Sequence, residues 1–290
     1  MRGIIVSNGF VGGRKFSEPA EMMCAAAERH GVTLDRFDNT QLCVPLGDPD
    51  SLEKVIGNPE FIIFWDKDVR CARNLELCGH RLFNPSECIR VCDDKSLTHL
   101  ALLEHGVPSL KTVSCPMTFD NVGYNSTGFL DAVESQLGYP MVVKDCFGSF
   151  GQQVRLAGNR TELESMLTDA RPRIFQEYVE CGATDIRAEV VGGQVLASME
   201  RHGPEGDFRS NTAIGGKAVE HTVTAEEEEL AVRACEAVGA DFAGVDIMYR
   251  NGEPVVCEVN SNAHIKNLRD CSDTDVSDGI IDLILRTVRR

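Results

Sequence analysis

Residues 242–262 read FAGVDIMYRNGEPVVCEVNSN. Two runs of alternating apolar residues flank Asn251-Gly252, and Pro254 has no N–H for a ladder. The stretch therefore predicts a β-hairpin with a five-residue loop over 250–254. Tyr249 then faces Val255, and Asp246 faces Glu258. Strand alternation sorts the side chains. Val245, Ile247, Tyr249, Val255, Cys257 and Val259 fall on one largely apolar face, and Asp246, Met248, Val256, Glu258 and Asn260 on the other. A two-residue turn would put Asp246 and Glu258 on opposite faces and mix the apolar set, which favours the longer loop. Two carboxylates and one amide oxygen on rigid strands suit Mg²⁺ bound together with substrate phosphates. That ion takes hard oxygen ligands and leaves room for phosphate and water. A solvated strand face with ordinary acids fits this stretch equally well by itself, so the surrounding sequence has to decide.

The 290 residues are enough for two or three domains and a sizeable core. The apolar runs are too short to span a bilayer. The first ten residues, MRGIIVSNGF, read as a strand and lack the apolar core and cleavage site of a signal peptide. The net charge of −16, from 29 Lys+Arg against 45 Asp+Glu, argues against binding to nucleic acid or to an anionic membrane. An anionic substrate would need basic residues clustered against that field. The 12 Cys contain no C-x-x-C, and the tightest pair, Cys88 and Cys92, falls on a predicted helix. They read as buried free thiols of a reducing cytosol. The seven His show no zinc-binding pattern.

GIIVSN over 3–8, residues 33–37, 61–65 and 82–83 read as strands, with helices over 17–31 and 51–56 between them. Ser17 is the expected N-cap of the first helix, with Pro19 in its first turn and Gly31 past its end. This alternation predicts a small parallel α/β domain over 1–84, with Gly9 to Gly13 as a loop. Asn84 is the expected cap of the next helix. Two helices follow, split near Asp93-Asp94, and Lys95 opens the second. A lysine there opposes the helix dipole, a misfit that an anion would relieve, though an exposed lysine explains the position as well.

After a helix over 129–137, residues 141–144 and 153–156 flank Gly148-Ser149-Phe150-Gly151. A small-residue hairpin tip of this kind can fold over phosphates and offer them backbone N–H groups. Lys144 ends an otherwise apolar strand, which favours a phosphate contact over a surface role. Further on come a helix over 161–167, a strand over 173–179, and a hairpin across Gly192-Gly193. The segment ERHGPEGDFRSNTAIGGK gathers Arg201, His202, Arg209, Asn211 and Lys217. Together with Arg187 these form the best candidate for an anion-binding wall, unless the segment is a solvated loop paired with Glu200, Glu205 and Asp207. A helix over 224–238 carries the capping box Thr224/Glu227, and residues 276–288 form a closing helix.

A glycine loop after a strand lysine, then QEYV, DIR, EGDFRSN, GVDI and EVN in that order, resembles the ATP-grasp ligases of the RimK type. The resemblance covers roughly 84–290. It implies an ATP-grasp fold of class α/β (α+β) behind the N-terminal Rossmann-like parallel α/β domain. The implied divisions are 1–84, 85–173 (the subdomain with the glycine loop) and 174–290 (the subdomain with the metal-binding hairpin). Carried over position by position, it implies that Lys95 and Lys144 contact ATP phosphates under the loop of Gly148, Ser149 and Gly151. Gln176, Glu177, Tyr178 and Val179 would form the strand that reads adenine, with Asp185 near the ribose. Arg187 and Arg209 would hold phosphate or substrate carboxylate, with Asn211 close by. Asp246, Glu258 and Asn260 would bind Mg²⁺ or Mn²⁺. Where such ligases commonly read N-A-S-P-G, this chain reads Asn260-Ser261-Asn262-Ala263-His264, and Phe150 replaces a usual polar residue. These departures bear on acceptor specificity.

The resemblance implies a cytoplasmic, homo-oligomeric carboxylate–amine ligase acting through an acyl phosphate, with Lys144, Arg187 and Arg209 as its catalytic charges. It would add glutamate or another amino acid to a peptide, protein or small-molecule acceptor. His264 is a candidate base for the amine or, alternatively, a packing residue. A phosphotransferase and a non-catalytic ATP-binding regulator are the alternatives. The regulator should have lost a metal ligand or Lys144, and neither is lost.

Overall fold

A computed structural model of the chain describes residues 1–148, 151–210 and 215–289. The N-terminal segment alternates β1 (Arg2–Ser7), α1 (Arg14–Arg29), β2 (Thr33–Asp38), α2 (Pro49–Ile56), β3 (Phe61–Phe64), α3 (Val69–Leu77) and β4 (Leu82–Phe83). Its sheet is parallel throughout, in the order β2-β1-β3-β4, as the alternation predicts. Both faces are covered, so β1 and β3 read as continuous apolar runs. Ile4, Val6, Ile62 and Phe64 pack toward α2 and α3, while Ile5, Phe61 and Ile63 pack on the α1 side.

Helix α1 begins at Arg14, not at Ser17: Gly13, at φ 106°, turns the chain into it, and Pro19 lies inside the helix. Proline has no N–H, so the carbonyl four residues back, that of Lys15, loses its helical donor. His264 Nε2 donates to that carbonyl at 2.8 Å, binding the far end of the chain to α1.

Asn84 is not a cap either. It is fully buried, its amide donates to the carbonyls of Phe242 (2.9 Å) and Ser261 (2.8 Å), and its oxygen accepts from Asp241 N (2.7 Å) and Phe242 N (3.2 Å). One side chain thus satisfies the backbone at both ends of the hairpin. Asn84→Ala strands four buried backbone groups and is expected to lower the unfolding free energy by about 3 kcal/mol, measurable by urea titration.

Helices α4 (Ser86–Asp93) and α5 (Lys95–Glu104) are split by Asp94, whose carboxylate caps α5 by accepting from Ser96 N and Leu97 N. The second sheet is antiparallel: β5 (Thr112–Ser114), β6 (Met141–Asp145), β7 (Val154–Ala157) and β8 (Arg173–Glu177), in the order β5-β8-β6-β7. Helices α6 (Leu130–Leu137) and α7 (Arg160–Ser165) pack on it through Leu130, Val133, Leu163 and Phe175.

The third sheet is also antiparallel, in the order β11-β10-β9-β12-β13. Its strands are β9 (Thr184–Val191), β10 (Gln194–His202), β11 (Lys217–Glu220), β12 (Phe242–Arg250) and β13 (Glu253–Asn260). One face packs on α4, α5 and α8 (Ala225–Ala237) through Ile186, Ala188, Val245 and Ile247, and the expected capping box is present on α8. On the other face, Val191, Met199 and Phe242 pack with α9 (Lys266–Cys271), α10 (Val276–Val288) and α1. The polar part of this second face is left for a cleft. Among the described residues no helix is long and apolar enough to cross a membrane.

The decisive hairpin corrects the sequence reading. Its turn is the two-residue one: Arg250 pairs with Glu253 across Asn251 (φ 56°) and Gly252 (φ 89°). Asp246 still faces Glu258, because the register shifts between Asp246↔Glu258 and Ile247↔Val256. Cys257 is the extra residue, a β-bulge that restores the facing pair the short turn would have lost. Val256 accordingly joins the helix-side core, and Cys257 turns into the cleft, the reverse of the expected sorting.

Candidate active site

The three sheets enclose a cleft of about 1110 Å³, and among the described residues every one that the family resemblance assigns to ATP, metal or substrate lines it. Ser149 and Asn211, like Phe150, lie outside the described residues.

Lys95 is brought in by α5. It is buried, and its Nζ donates to Gly148 O at 3.1 Å and stands 3.2 Å from Glu258 Oε1. Burial alone would lower its pKa, but Glu258 outweighs burial and raises it. Glu258 is lowered in turn: burial pushes its carboxyl up, and Lys95, Lys144 and Lys67 together more than offset this. Both groups are therefore charged at neutral pH. Lys144 on β6 is also buried, with Nζ 3.5 Å from Cys257 Sγ. Burial pushes that thiol up to about 11 against the opposing pull of Lys144, so Cys257 is not a nucleophile at neutral pH.

Gln176 is buried in the β8 strand, where its Nε2 donates to His99 Nε2 (2.9 Å) and Thr112 Oγ1 (3.0 Å). Burial and then Lys144 hold His99 down at about 4, which leaves it neutral. Glu177 is tied by Lys111 N (2.6 Å) and Arg250 Nη1 (2.8 Å). Tyr178 bonds Glu180 (2.9 Å) and packs edge-on against Phe208, with Val179 beside it in the cleft wall. Arg209 holds Asp207 at 2.6 Å and donates to Gly151 O at 2.7 Å, joining the two loops that close this side.

At the cleft floor four charges alternate. Arg201 grips Asp185 through two bonds of 2.6 Å and reaches Asp246 at 2.9 Å. Arg187 donates through both Nε and Nη2 to the same Asp246. Burial would raise Asp246, but Arg187 and Arg201 hold it down at about 2. Ser210 Oγ also donates to Asp185.

Asp246, Glu258 and Asn260 all line the cleft, and their side-chain oxygens are hard donors of the kind Mg²⁺ takes. Among the described residues no group of three His, Cys, Asp or Glu side chains is placed to hold a metal by itself.

Some expected members of the anion-binding wall are elsewhere. His202 pairs with Glu200 (3.1 Å), and Lys217 is exposed on β11. His264 donates Nε2–H to the Lys15 carbonyl, which links it to α1, and burial lowers its pKa. Arg201 was named only as part of that wall, yet it anchors the floor. Glu189 was missed. Asp185, Arg187 and Glu189 alternate along β9, and a D-x-R-x-E strand pattern is the signal that would have found it. Burial raises Glu189 to about 8, with Arg187 opposing and Asp246 adding to the shift.

Residues 92–284 match the RimK-like ATP-grasp domain family. The chain is 34% identical over 226 residues to beta-citrylglutamate synthase B of Danio rerio (76% of this chain, 54% of the relative). It is 36% identical over 222 residues to N-acetylaspartylglutamate synthase A of Homo sapiens (75% and 55%). It is 37% identical over 218 residues to a "Probable alpha-L-glutamate ligase" of Maridesulfovibrio salexigens (73% and 69%). The match thus spans about half the length of the two synthases. In fold the chain is similar to D-alanine–D-alanine ligase of Bacillus anthracis (TM-score 0.74, 18% identity, covering 100% of this chain and 98% of that one). It is also similar to a RimK-domain ATP-grasp protein of Sphaerobacter thermophilus (TM-score 0.71, 17% identity, 98% and 100%).

Proposed function

The chain belongs to the RimK-like ATP-grasp family, and we propose that it is an ATP-dependent ligase joining a carboxylate to an amine through an acyl phosphate. One observation carries the reading. A single cleft holds the oxygen donors Asp246, Glu258 and Asn260, two buried lysines and the ends of a glycine loop. This is a concentration of phosphate-handling groups in a chain of net charge −16.

Asp246, Glu258 and Asn260 would hold Mg²⁺, which supplies charge neutralisation at the phosphates when bound. Lys95 and Lys144 add fixed positive charge in a buried setting, where such charge acts strongly. Arg209, through Gly151 O, holds the glycine loop against the 203–210 segment and limits water entry. A substrate carboxylate oxygen attacks the terminal phosphorus of ATP, the bond to the bridging oxygen breaks and ADP leaves. The amine nitrogen then attacks the acyl carbon, gives up a proton, and phosphate departs with the C–O electron pair. No side-chain nucleophile is required.

The N-terminal sheet reverses its strand order between β1 and β3, and open parallel sheets bind ligands at such a reversal. Ser7, Asn8, Asp66 and Lys67 from that crevice line the same cleft, which supports this crevice as the proposed amine site. The names of the relatives make glutamate the proposed amino acid.

The test is ADP release with Mg²⁺ across amino acids and short peptides, alone and in pairs. Turnover that requires one carboxylate–amine pair, with a product of the condensed mass, is expected. Turnover with one compound alone, giving a stable phosphorylated product, would replace the ligase with a phosphotransferase.

A further inference from the structure

We infer that Glu189 and Asn260 hold one buried water between them above Gly244, and that Glu189 thereby positions the Asn260 amide with its oxygen toward the cleft. Register sets the three residues in a row across adjacent strands: Glu189 pairs with Gly244, and Gly244 pairs with Asn260. The middle residue has no side chain, and Glu189 leans into the space. Its Oε2 lies 2.9 Å from the point where a Cβ on Gly244 would stand, with Ala263 Cβ at 2.6 Å and Arg187 Cδ at 3.0 Å closing the gap.

Glu189 is fully buried, yet neither of its carboxylate oxygens has a hydrogen-bond partner, and neither does Asn260 Nδ2. The neighbouring guanidiniums bond other carboxylates. Arg187 donates through Nε and Nη2 to Asp246, and Arg201 is divided between Asp185 and Asp246. Each unpaired buried polar atom costs about 1–3 kcal/mol, and the register puts these three on one face of the sheet on either side of Gly244, where one shared partner would satisfy them. The count matches one water: with Glu189 raised to about 8 and so protonated at neutral pH, the water accepts from the carboxyl O–H and from the amide N–H and donates one hydrogen to the other carboxyl oxygen. Three bonds are also the usual number for a buried water.

The consequence bears on the metal reading, on which this part rests. An asparagine amide presents either its oxygen or its NH₂ to a cation, and the two orientations have nearly the same shape. Holding Nδ2 from behind selects the orientation with the oxygen forward. Outer residues that orient a ligand in this way typically change metal affinity by about 10–100-fold when removed.

Two variants and one structure test this. Mn²⁺ affinity in the presence of ADP, read by electron paramagnetic resonance, is expected to weaken about tenfold or more in Glu189→Leu. Glu189→Gln still bonds a water and is expected to stay within about threefold of wild type. Wild-type Mn²⁺ affinity in Glu189→Leu, even with an altered melting temperature, would make Glu189 merely structural and overturn the positioning role. Glu258→Gln, run alongside, separates the two ideas. If it too leaves Mn²⁺ binding unchanged, the metal reading fails, and the site itself is still decided by crystallography. A high-resolution crystal structure is expected to show one water within hydrogen-bond distance of Glu189 and Asn260. A dry gap, or a direct Glu189–Asn260 bond, would overturn the site.

Discussion

Glu258→Gln is expected to lower ATP turnover by about a thousandfold or more, a loss comparable to removing a main electrostatic group from an active site. The amide keeps the volume and the strand register of the carboxylate but not its charge. Lys95 then loses its charged partner in a buried position and keeps neutral acceptors, the Gly148 carbonyl at 3.1 Å among them. The lost counter-ion costs stability as well, about 1–3 kcal/mol, and the raised pKa of Lys95 should fall. Steady-state ADP release together with a urea titration separates the two effects. Near-wild-type turnover in a folded variant would remove Glu258 from the proposed metal set.

Asp246→Asn is expected to act chiefly on stability. Asp246 accepts from two arginines in a buried cluster, so neutralising it leaves excess positive charge around Arg187 and Arg201. Breaking one side of a buried ion pair costs about 3–5 kcal/mol. The pH dependence follows from the sign of the shift. The folded pKa of Asp246 is depressed to about 2, below the ordinary value near ~3.9. Its contribution is therefore complete above the unfolded pKa and is lost as pH falls through the folded one. Urea titrations of both proteins should show a constant gap between pH 7 and about 5, narrowing as pH falls from about 4 toward 2. A gap that stays constant down to pH 2 would show that the arginines do not depress this carboxyl.

Both predictions concern residues that the hairpin reading placed side by side, although that reading reached the pair by the wrong route. Alternation demanded that Asp246 and Glu258 share a face, and the structure agrees. Asn-Gly suits a two-residue turn, which the five-residue reading set aside and the structure adopts. The two demands conflict under strict period-two pairing. A longer loop resolves the conflict on paper, whereas a bulge at Cys257 resolves it in the fold. A bulge has no composition signal of its own, since any residue can occupy it, and its value appears only once a partner strand sets the register.

The local elements were legible because their causes are local. The apolar runs of β1 and β3, the Thr224/Glu227 capping box and the Asn-Gly and Gly-Gly turns are written within a few residues each. The glycine-loop lysine and the GVDI and EVN segments also carried the family, and with it the list of candidate residues, all of whose described members line one cleft. Tertiary structure alone decided the roles of polar residues whose partners are distant in the chain. Asn84 looked like a cap because Pro85 follows it, but its partners lie 157 to 177 residues away. His264 read as a base or a packing residue, and the partner that ties it to the fold is a carbonyl freed by Pro19, 249 residues from it along the chain to Lys15. Glu189 looked like one acid among 45 until burial left it without a partner. Propensity and periodicity act over one turn or one strand and can be read in order along the chain. A buried polar group is defined by whatever satisfies it, and that partner is fixed only when the sheets close on one another.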